Sequence, residues 1–364
     1  TTEIYTLSLH DALPIWAITY RENLLLVYPG KTSKPALVRL ASVIAHETSH
    51  MWFGNLVSPL DWKYLWLNES FASYFTYAIP DRYFPEWQMW DQFVLQEMQR
   101  GIERDTLEKT PPIELSGDEQ IFIDASTAPI IYNKGASILK MLVNYLGEEK
   151  YRKGVQHYMQ KYQYQCASSD QFWEALEEAT KEPIKKFAAS WVHQPGYPII
   201  SAKIEGSQLI LEQQRFTFRK VHSAQKWIIP LILEIYLDSG DKTEQRILMD
   251  NSRLIIPLPS PNVYVKVNAG QQGFFRVKYD PSSLNGLLAL VKNKKMLAVD
   301  RFGLENDLFA LVRQGDLAVD AYLDALAINY IDENESLPLI DLAANLRYIY
   351  YFNHRLKEIG RAHV

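Results

Sequence analysis

Two histidines and a glutamate stand in the sequence at a spacing that suits metal chemistry. They form the H-E-x-x-H run of residues 46–50, inside an apolar stretch that predicts a buried helix. Because an α-helix completes a turn in about 3.6 residues, His46 and His50 present their imidazoles on one face. Two neutral imidazoles placed in this way can bind one zinc ion. Glu47 points off that axis, so we expect it to hold the water on the metal rather than to bind the metal itself.

A catalytic zinc ion takes three protein ligands and keeps one position open, so a third ligand must come from another segment. Glu69 follows His50 by 19 residues, in the sequence W-L-N-E-S-F-A of residues 66–72. Apolar residues at helical spacing after it predict a second helix that begins near Glu69, with an end or a kink at Pro80. The alternative is that both histidines are hydrogen-bonded core residues, but a glutamate at this spacing favours a zinc site.

Composition limits the classes of protein to which the chain can belong. With 38 basic and 43 acidic residues the net charge is −5, and no basic stripe predicts binding to nucleic acid. Cys166 is the single cysteine, which excludes an intrachain disulfide and favours a reducing, cytoplasmic compartment. The longest apolar runs, such as residues 227–237, are interrupted by Pro230 and Glu234, so no membrane-spanning segment is predicted.

The order of the predicted elements indicates an α+β protein with several domains. Residues 16–28 alternate as a strand does, and a helix carrying the two histidines is expected from Pro35 to about Asn55. Further helices are predicted over residues 86–104, 136–146, 148–162, 169–179 and 183–192, with Ser168 and Gln171 as a capping box. Short strands are predicted over residues 199–213, 227–237, 245–249, 254–258 and 263–267. Helical periodicity returns from Pro281.

Several segments together resemble the gluzincin aminopeptidases. The run H-E-T-S-H-M-W-F-G-N-L-V with W-L-N-E-S-F-A is similar to the zinc motif of that family. Four more segments resemble family sequences in the family order: residues 16–22, 132–136, 191–198 and 299–307. The resemblance implies a thermolysin-like catalytic domain over residues 16–197, a small β-sandwich over 198–280 and the beginning of an α-helical domain over 281–358.

The same resemblance implies an activity and a role for each site residue. The family consists of zinc aminopeptidases, which act on peptides with a free N-terminus. It implies one Zn²⁺ per chain on His46, His50 and Glu69, with Glu47 as general base for the attacking water. Tyr132 stands in the sequence Y-N-K-G-A, which resembles the family's Y-x-K-G-A, and is therefore expected to stabilise the oxyanion of the transition state. We expect Lys134 to anchor this segment electrostatically.

The two ends of the chain look foreign to the rest. Residues 1–15 resemble a translated sequencing adapter, and residues 359–364 resemble readthrough into the opposite adapter. In the family, G-A-M-E-N precedes the tryptophan matched by Trp16, and its glutamate holds the substrate amine, whereas here Leu13-Pro14-Ile15 takes that place. We therefore expect a fragment that lacks the N-terminal β domain and most of the C-terminal helical domain. Two alternatives stay open: another gluzincin hydrolase, such as an endopeptidase or epoxide hydrolase, and a zinc-binding protein without catalysis, here a fragment that is inactive because the G-A-M-E-N segment is missing.

Overall fold

The computed structural model describes residues 18–115, 117 and 122–362, and shows a mixed α/β protein. The helices before the main sheets are α1 (Lys34–Ser49), α2 (Trp66–Tyr83), α3 (Met89–Gln92), α4 (Gln99–Asp105), α5 (Gly135–Leu146), α6 (Glu148–Tyr162), α7 (Ser169–Thr180) and α8 (Ile184–Val192). The helices after them are α9 (Pro281–Lys292), α10 (Ala298–Gln314), α11 (Val319–Asn329) and α12 (Ser336–Ala362). Within the described part of the chain, none of the helices is both long and apolar enough to cross a lipid bilayer.

The strands form one small and two larger sheets. They are β1 (Val57–Pro59), β2 (Gln165–Ala167), β3 (Pro198–Glu205), β4 (Gln208–Arg215), β5 (Ile229–Tyr236), β6 (Lys242–Met249), β7 (Arg253–Pro257), β8 (Tyr264–Val267) and β9 (Arg276–Tyr279). Strands β1 and β2 pair in parallel, and the larger sheets have the strand orders β7-β4-β3-β9 and β6-β5-β8. Side chains of α2, of α5 to α8 and of both larger sheets share one buried apolar cluster, and the C-terminal helices form a second.

The sequence predicts most of these elements well. The helices expected over residues 136–192 are confirmed as α5 to α8, and Ser168 and Gln171 form the expected capping box at the start of α7. Each predicted strand after Pro198 is confirmed, with a turn at residues 206–207 dividing the first of them into β3 and β4. The division into three domains stays a prediction.

The strand predicted over residues 16–28 is wrong for the residues that the structure describes. From residue 18 onward this segment contains only the 3₁₀ turn Glu22–Leu24, and residues 25–28 are exposed. A strand is stable only when a neighbouring strand pairs with its backbone N–H and C=O groups. Among the described residues no strand pairs with this segment, which explains why the alternating pattern does not produce one.

The predicted helix carrying the histidines is too long at its C-terminal end. Helix α1 stops at Ser49, six residues before the expected Asn55, and His50 follows its last residue. Apolar spacing continues past that point, but the backbone turns back through Gly54 at φ +137°, a conformation that L residues with side chains rarely adopt. The backbone N–H of Asn55 then donates to the His50 carbonyl at 3.0 Å.

The second predicted helix begins earlier than expected. Helix α2 starts at Trp66, so that Glu69 lies in its first turn rather than at its start. The Asp61 carboxylate caps the preceding 3₁₀ turn, Trp62–Tyr64, by accepting the Lys63 N–H at 3.1 Å. Pro80 stands inside the last turn, and α2 ends three residues later.

Two segments near the site are π-helical, which the apolar spacing does not reveal. Residues Phe93–Met98 join α3 to α4, and residues Pro129–Lys134, which include Tyr132, lead directly into α5. We call the second segment the Tyr132 turn. A π-helix pairs each residue with the fifth one along the chain instead of the fourth, and short π-helical turns within helices are frequent at functional sites.

Residues 1–15, including those in the place of G-A-M-E-N, lie outside the described residues. Helix α12 continues to Ala362, and residues 363–364 are also outside them. The non-native origin of both ends stays a prediction.

Candidate metal centre

Helices α1 and α2 pack against each other and bring the three predicted ligands together. The Nε2 atoms of His46 and His50 each lie 3.6 Å from Oε2 of Glu69. The two imidazole rings are 5.0 Å apart and nearly perpendicular, at 82°. Among the described residues, these three form the only group of three histidine, cysteine or acidic side chains whose ligand atoms come within 4.8 Å of one another.

The hydrogen bonds on the far side of each ring leave the converging nitrogen free to bind a metal. Nδ1 of His50 lies 3.2 Å from the Phe53 carbonyl oxygen, which can only accept, so Nδ1 carries the proton. Nδ1 of His46 lies 3.2 Å from Oγ1 of Thr76, whose own proton is donated to the Ala72 carbonyl at 2.8 Å. That hydroxyl is therefore an acceptor for His46. In both neutral rings the lone pair then lies on Nε2, which is the atom that faces Glu69.

The turn after α1 supplies the acceptor for His50. The Phe53 ring stacks on Phe71 of α2 at 4.0 Å and 11°, which fixes the residue. A Cβ atom on Gly54 would lie 3.2 Å from the His50 carbonyl and 3.3 Å from Nδ2 of Asn68. The tight turn that carries the Phe53 carbonyl back to His50 therefore suits glycine at position 54.

The donor set and its spacing fit zinc. Two imidazole nitrogens and one carboxylate oxygen are an established ligand set for catalytic zinc, which keeps a fourth position open. Two ligands about 2.1 Å from a tetrahedral ion lie about 3.4 Å from each other. The observed separations of 3.6 Å between nitrogen and carboxylate oxygen are close to that value. The site is partly open, since the histidine side chains keep 24% and 23% of their exposure.

Electrostatics at the site favour a cation. Burial raises the pKa of Glu69, but the protonated forms of His46 and His50, which form only while no metal is bound to Nε2, and the Tyr132 hydroxyl stabilise its carboxylate, so the pKa is lowered overall. Burial lowers the pKa of His46, but Glu69 and then Glu47 and Glu97 outweigh it, so that pKa is raised. The charges of Glu69, Glu47 and Glu97 thus act on His46, and this negative potential favours a cation beside it.

Comparison with known proteins gives the family. A model described as "Peptidase family M1 domain" matches residues 15–191, and one described as "ERAP1-like C-terminal domain" matches residues 264–358. Aminopeptidase M1 of Arabidopsis thaliana is 38% identical over 317 residues, which are 83% of this chain and 36% of that protein. The chain belongs to peptidase family M1.

Two further relatives of this M1 chain come from a plant and an archaeon. Aminopeptidase M1-A of Oryza sativa subsp. japonica is 35% identical over 326 residues, covering 87% of the chain and 36% of the relative. Leucyl aminopeptidase of Saccharolobus solfataricus is 33% identical over 345 residues, covering 94% of the chain and 42% of the relative. The M1 chain therefore spans less than half the length of the curated relatives it matches.

Glu47 of the M1 chain lies on α1 beside the ligands and is half-buried. Its surroundings include Tyr20, in the segment before α1. Burial, and after it the charge of Glu47, raises the pKa of the Tyr20 hydroxyl, and a hydrogen bond with Thr48 acts in the opposite direction. Glu47 thus stands next to His46, one of the three predicted ligands, without belonging to the group of three.

Tyr132, on the Tyr132 turn, reaches the Glu69 carboxyl group. Its hydrogen bond to Glu69 is one of the interactions that lower the pKa of that carboxyl group. The turn is held against α2, because the Ser70 hydroxyl donates to the Ile131 carbonyl at 2.6 Å. On its other side, Lys134 is fully buried and its Nζ lies 2.9 Å from Oδ2 of Asp105. The structure therefore places Lys134 as an electrostatic anchor of the turn.

Sequence reasoning missed the residues that support the ligands. Thr76 stands seven residues after Glu69, two helical turns along the same face of α2, so its position could have been inferred. The Phe53 carbonyl has no signal in the sequence, since any residue carries one. Glu97, whose charge acts on His46, is distant in sequence from both motifs.

Proposed function

We propose that this chain holds one zinc ion on His46, His50 and Glu69, and that the protein hydrolyses peptide bonds. One observation carries the proposal: the Nε2 atoms of both histidines converge on Oε2 of Glu69 at 3.6 Å, while each Nδ1 is engaged by an acceptor. When bound, zinc supplies a Lewis acid and lowers the pKa of a water toward about 7. The names of the relatives support a peptidase that removes N-terminal residues.

The roles of the surrounding side chains follow from their chemistry. Glu47 accepts the proton of the attacking water and returns it to the leaving amine, which a carboxylate beside the ligands can do in both directions. The Tyr132 hydroxyl donates a hydrogen bond to the carbonyl oxygen as that oxygen becomes negative. A phenol suits this role because it stays a neutral donor near pH 7.

The substrates we propose are peptides with a free N-terminus. Selection of the free amine needs a carboxylate that binds it, and the family's G-A-M-E-N glutamate has no counterpart in Leu13-Pro14-Ile15. In the chain as given, the absence of this carboxylate leaves a second candidate open, a gluzincin hydrolase that does not select the amine, such as an endopeptidase. Turnover of an aminoacyl chromogenic substrate and of its N-acetylated form distinguishes the two, because only an exopeptidase requires the free amine.

Replacing the proposed base separates catalysis from metal binding. In Glu47→Gln the side chain keeps its size but can no longer accept a proton, so we expect turnover to fall by about 10²- to 10⁴-fold. Zinc content, measured by elemental analysis, is expected to stay at one ion per chain. Unchanged hydrolysis in this variant would exclude Glu47 as the base. A wild-type chain with one zinc ion and no turnover would instead indicate a metal-binding protein without catalysis.

A further inference from the structure

Glu97 connects helix α2 to the Tyr132 turn and is not one of the three predicted metal ligands. It lies on the π-helical segment Phe93–Met98 and is half-buried. Its Oε1 accepts a hydrogen bond from the Tyr77 hydroxyl at 3.0 Å, and its Oε2 accepts one from Nδ2 of Asn133. Tyr77 belongs to α2, which carries Glu69, and Asn133 directly follows Tyr132.

The chemistry of the groups fixes which of them donates and which accepts in these two hydrogen bonds. A carboxylate only accepts, whereas the phenol and the amide NH₂ donate, so Glu97 satisfies both partners at once. Asn133 is 8% exposed and Tyr77 is 7% exposed, so neither donor can turn freely to water when the acceptor is lost. A bond to a charged acceptor is also stronger than one between neutral groups.

The other contacts of the Tyr132 turn involve Ile131 and Lys134, and the contact with Glu97 adds one at Asn133. Ser70 holds the Ile131 carbonyl, and Asp105 holds the Lys134 ammonium group. Of the residues adjoining Tyr132, Asn133 is the one whose side chain is tied to the π-helical segment that precedes α4. This contact links the turn, through Tyr77, to the helix of the third ligand.

We propose that Glu97 is a positioning residue that fixes the Tyr132 turn against α2 and so directs the Tyr132 hydroxyl at the reacting carbonyl oxygen. The inference rests on the role of Tyr132 in the proposed function. It adds a specific requirement: the hydrogen bond between positions 97 and 133 sets the rate of the chemical step and leaves substrate binding unchanged.

Reversing the donor and the acceptor tests this requirement. Asn133→Asp sets two carboxylates against each other and breaks the contact. In the double variant Glu97→Gln with Asn133→Asp, the new amide can donate to the new carboxylate and still accept from Tyr77. We expect Asn133→Asp to lower kcat by about tenfold to hundredfold with KM within about threefold, since one oxyanion donor contributes about 10²- to 10³-fold. The double variant should recover kcat to within about threefold of wild type.

A second readout follows Tyr132 without turnover. 3-Fluorotyrosine placed at position 132 of the zinc-loaded chain gives a ¹⁹F signal, which Asn133→Asp should shift or broaden and the double variant should restore. Gln96→Ala, an exposed neighbour on the same segment, should leave kcat and the signal unchanged. If Asn133→Asp does not fold, Glu97→Asp provides the same test, because the shorter carboxylate cannot reach both partners.

The outcomes separate this inference from the proposed function. Wild-type kcat and an unchanged ¹⁹F signal in folded, zinc-loaded Asn133→Asp would overturn the role of Glu97, as would a double variant no better than the single one. Absence of turnover in the zinc-loaded wild type would count against the proposed function. In that case the ¹⁹F signal still decides whether Glu97 positions Tyr132.

Discussion

At the scale of single residues, each histidine can bind a metal through Nε2 only because a hydrogen-bond acceptor holds the proton on Nδ1, on the other side of the ring. The Phe53 carbonyl and the Thr76 hydroxyl hold the protonated Nδ1 atoms, both at 3.2 Å. This leaves both Nε2 atoms as lone-pair donors. The Thr76 hydroxyl accepts from His46 because its own O–H donates a hydrogen bond to the Ala72 carbonyl.

Thr76 offers a test of this support. Thr76→Val keeps the shape of the side chain but removes the acceptor for His46, so we expect zinc affinity to fall by about 10- to 100-fold. Competition with a chromogenic chelator measures the change. Thr76→Ser, which keeps the hydroxyl, should bind zinc nearly as the wild type does, and equal affinity in the valine variant would show that the hydroxyl does not orient His46.

The ligands themselves could be predicted because their signal is local. His46, His50 and Glu69 were selected by helical spacing and by the chemistry of their side chains, and the structure places the three together. Tyr132 could be selected only through resemblance, since it is one of 22 tyrosines and its spacing has no distinguishing pattern. Glu97 was missed because its partners are 20 and 36 residues away.

At the scale of elements, the Tyr132 turn depends on close backbone approach. A Cβ atom on Gly101 of α4 would lie 2.9 Å from the Lys134 nitrogen and 3.2 Å from the Asn133 carbonyl carbon. Both are backbone atoms, so they cannot move aside as the end of a flexible side chain can. Glycine at this position therefore lets α4 pack directly against the turn.

Gly101→Ala should displace the turn. We expect it to lower the free energy of unfolding by about 1 to 3 kcal/mol, as overpacking of a dense core does, and to reduce turnover as well. Urea denaturation measures the first effect. Arg100→Ala, at the exposed preceding residue, is the matched control. A Gly101→Ala protein as stable and active as that control would contradict the account of the turn.

Helices and strands could be predicted where the periodicity of the local sequence specifies them. They could not be predicted where contacts with distant residues specify them. The regular spacing of residues 136–192 specifies α5 to α8. The end of α1 depends on a turn that packs Phe53 on Phe71, and the strand expected over residues 16–28 depends on a partner. Strand β9 was missed because it is four residues long and two of them, Arg276 and Lys278, are charged.

At the scale of the whole molecule, a buried cation joins the helices near the site to the segment between β8 and β9. Nζ of Lys140 on α5 donates to Oε1 of Gln272 at 2.7 Å and lies 5.5 Å from the centre of the Trp90 ring. Lys140 is 4% exposed. Burial lowers its pKa to about 7, and the charge of Asp91 only partly offsets this effect.

This lysine makes the stability of the protein depend on pH. Above about pH 7 the folded protein holds Lys140 neutral, while the unfolded chain keeps it protonated up to its ordinary pKa of 10.5. Because the unfolded state then binds more protons, stability rises with pH between about 7 and 10.5, and the destabilising effect of burying this lysine is complete at and below about pH 7. Relative to Lys140→Met, the wild type should gain up to about 1.4 kcal/mol per pH unit between pH 7 and 9.5. A pH-independent difference between their urea-unfolding free energies would contradict this prediction.

Zinc bound by α1 and α2 is the central claim, and anomalous diffraction at the zinc absorption edge tests it most directly. We expect one anomalous peak per chain, about 2.0 to 2.2 Å from Nε2 of His46, Nε2 of His50 and a carboxylate oxygen of Glu69. A zinc-soaked crystal of the folded chain with no peak at this position, or with a peak bound through Nδ1 or through other side chains, would contradict the account.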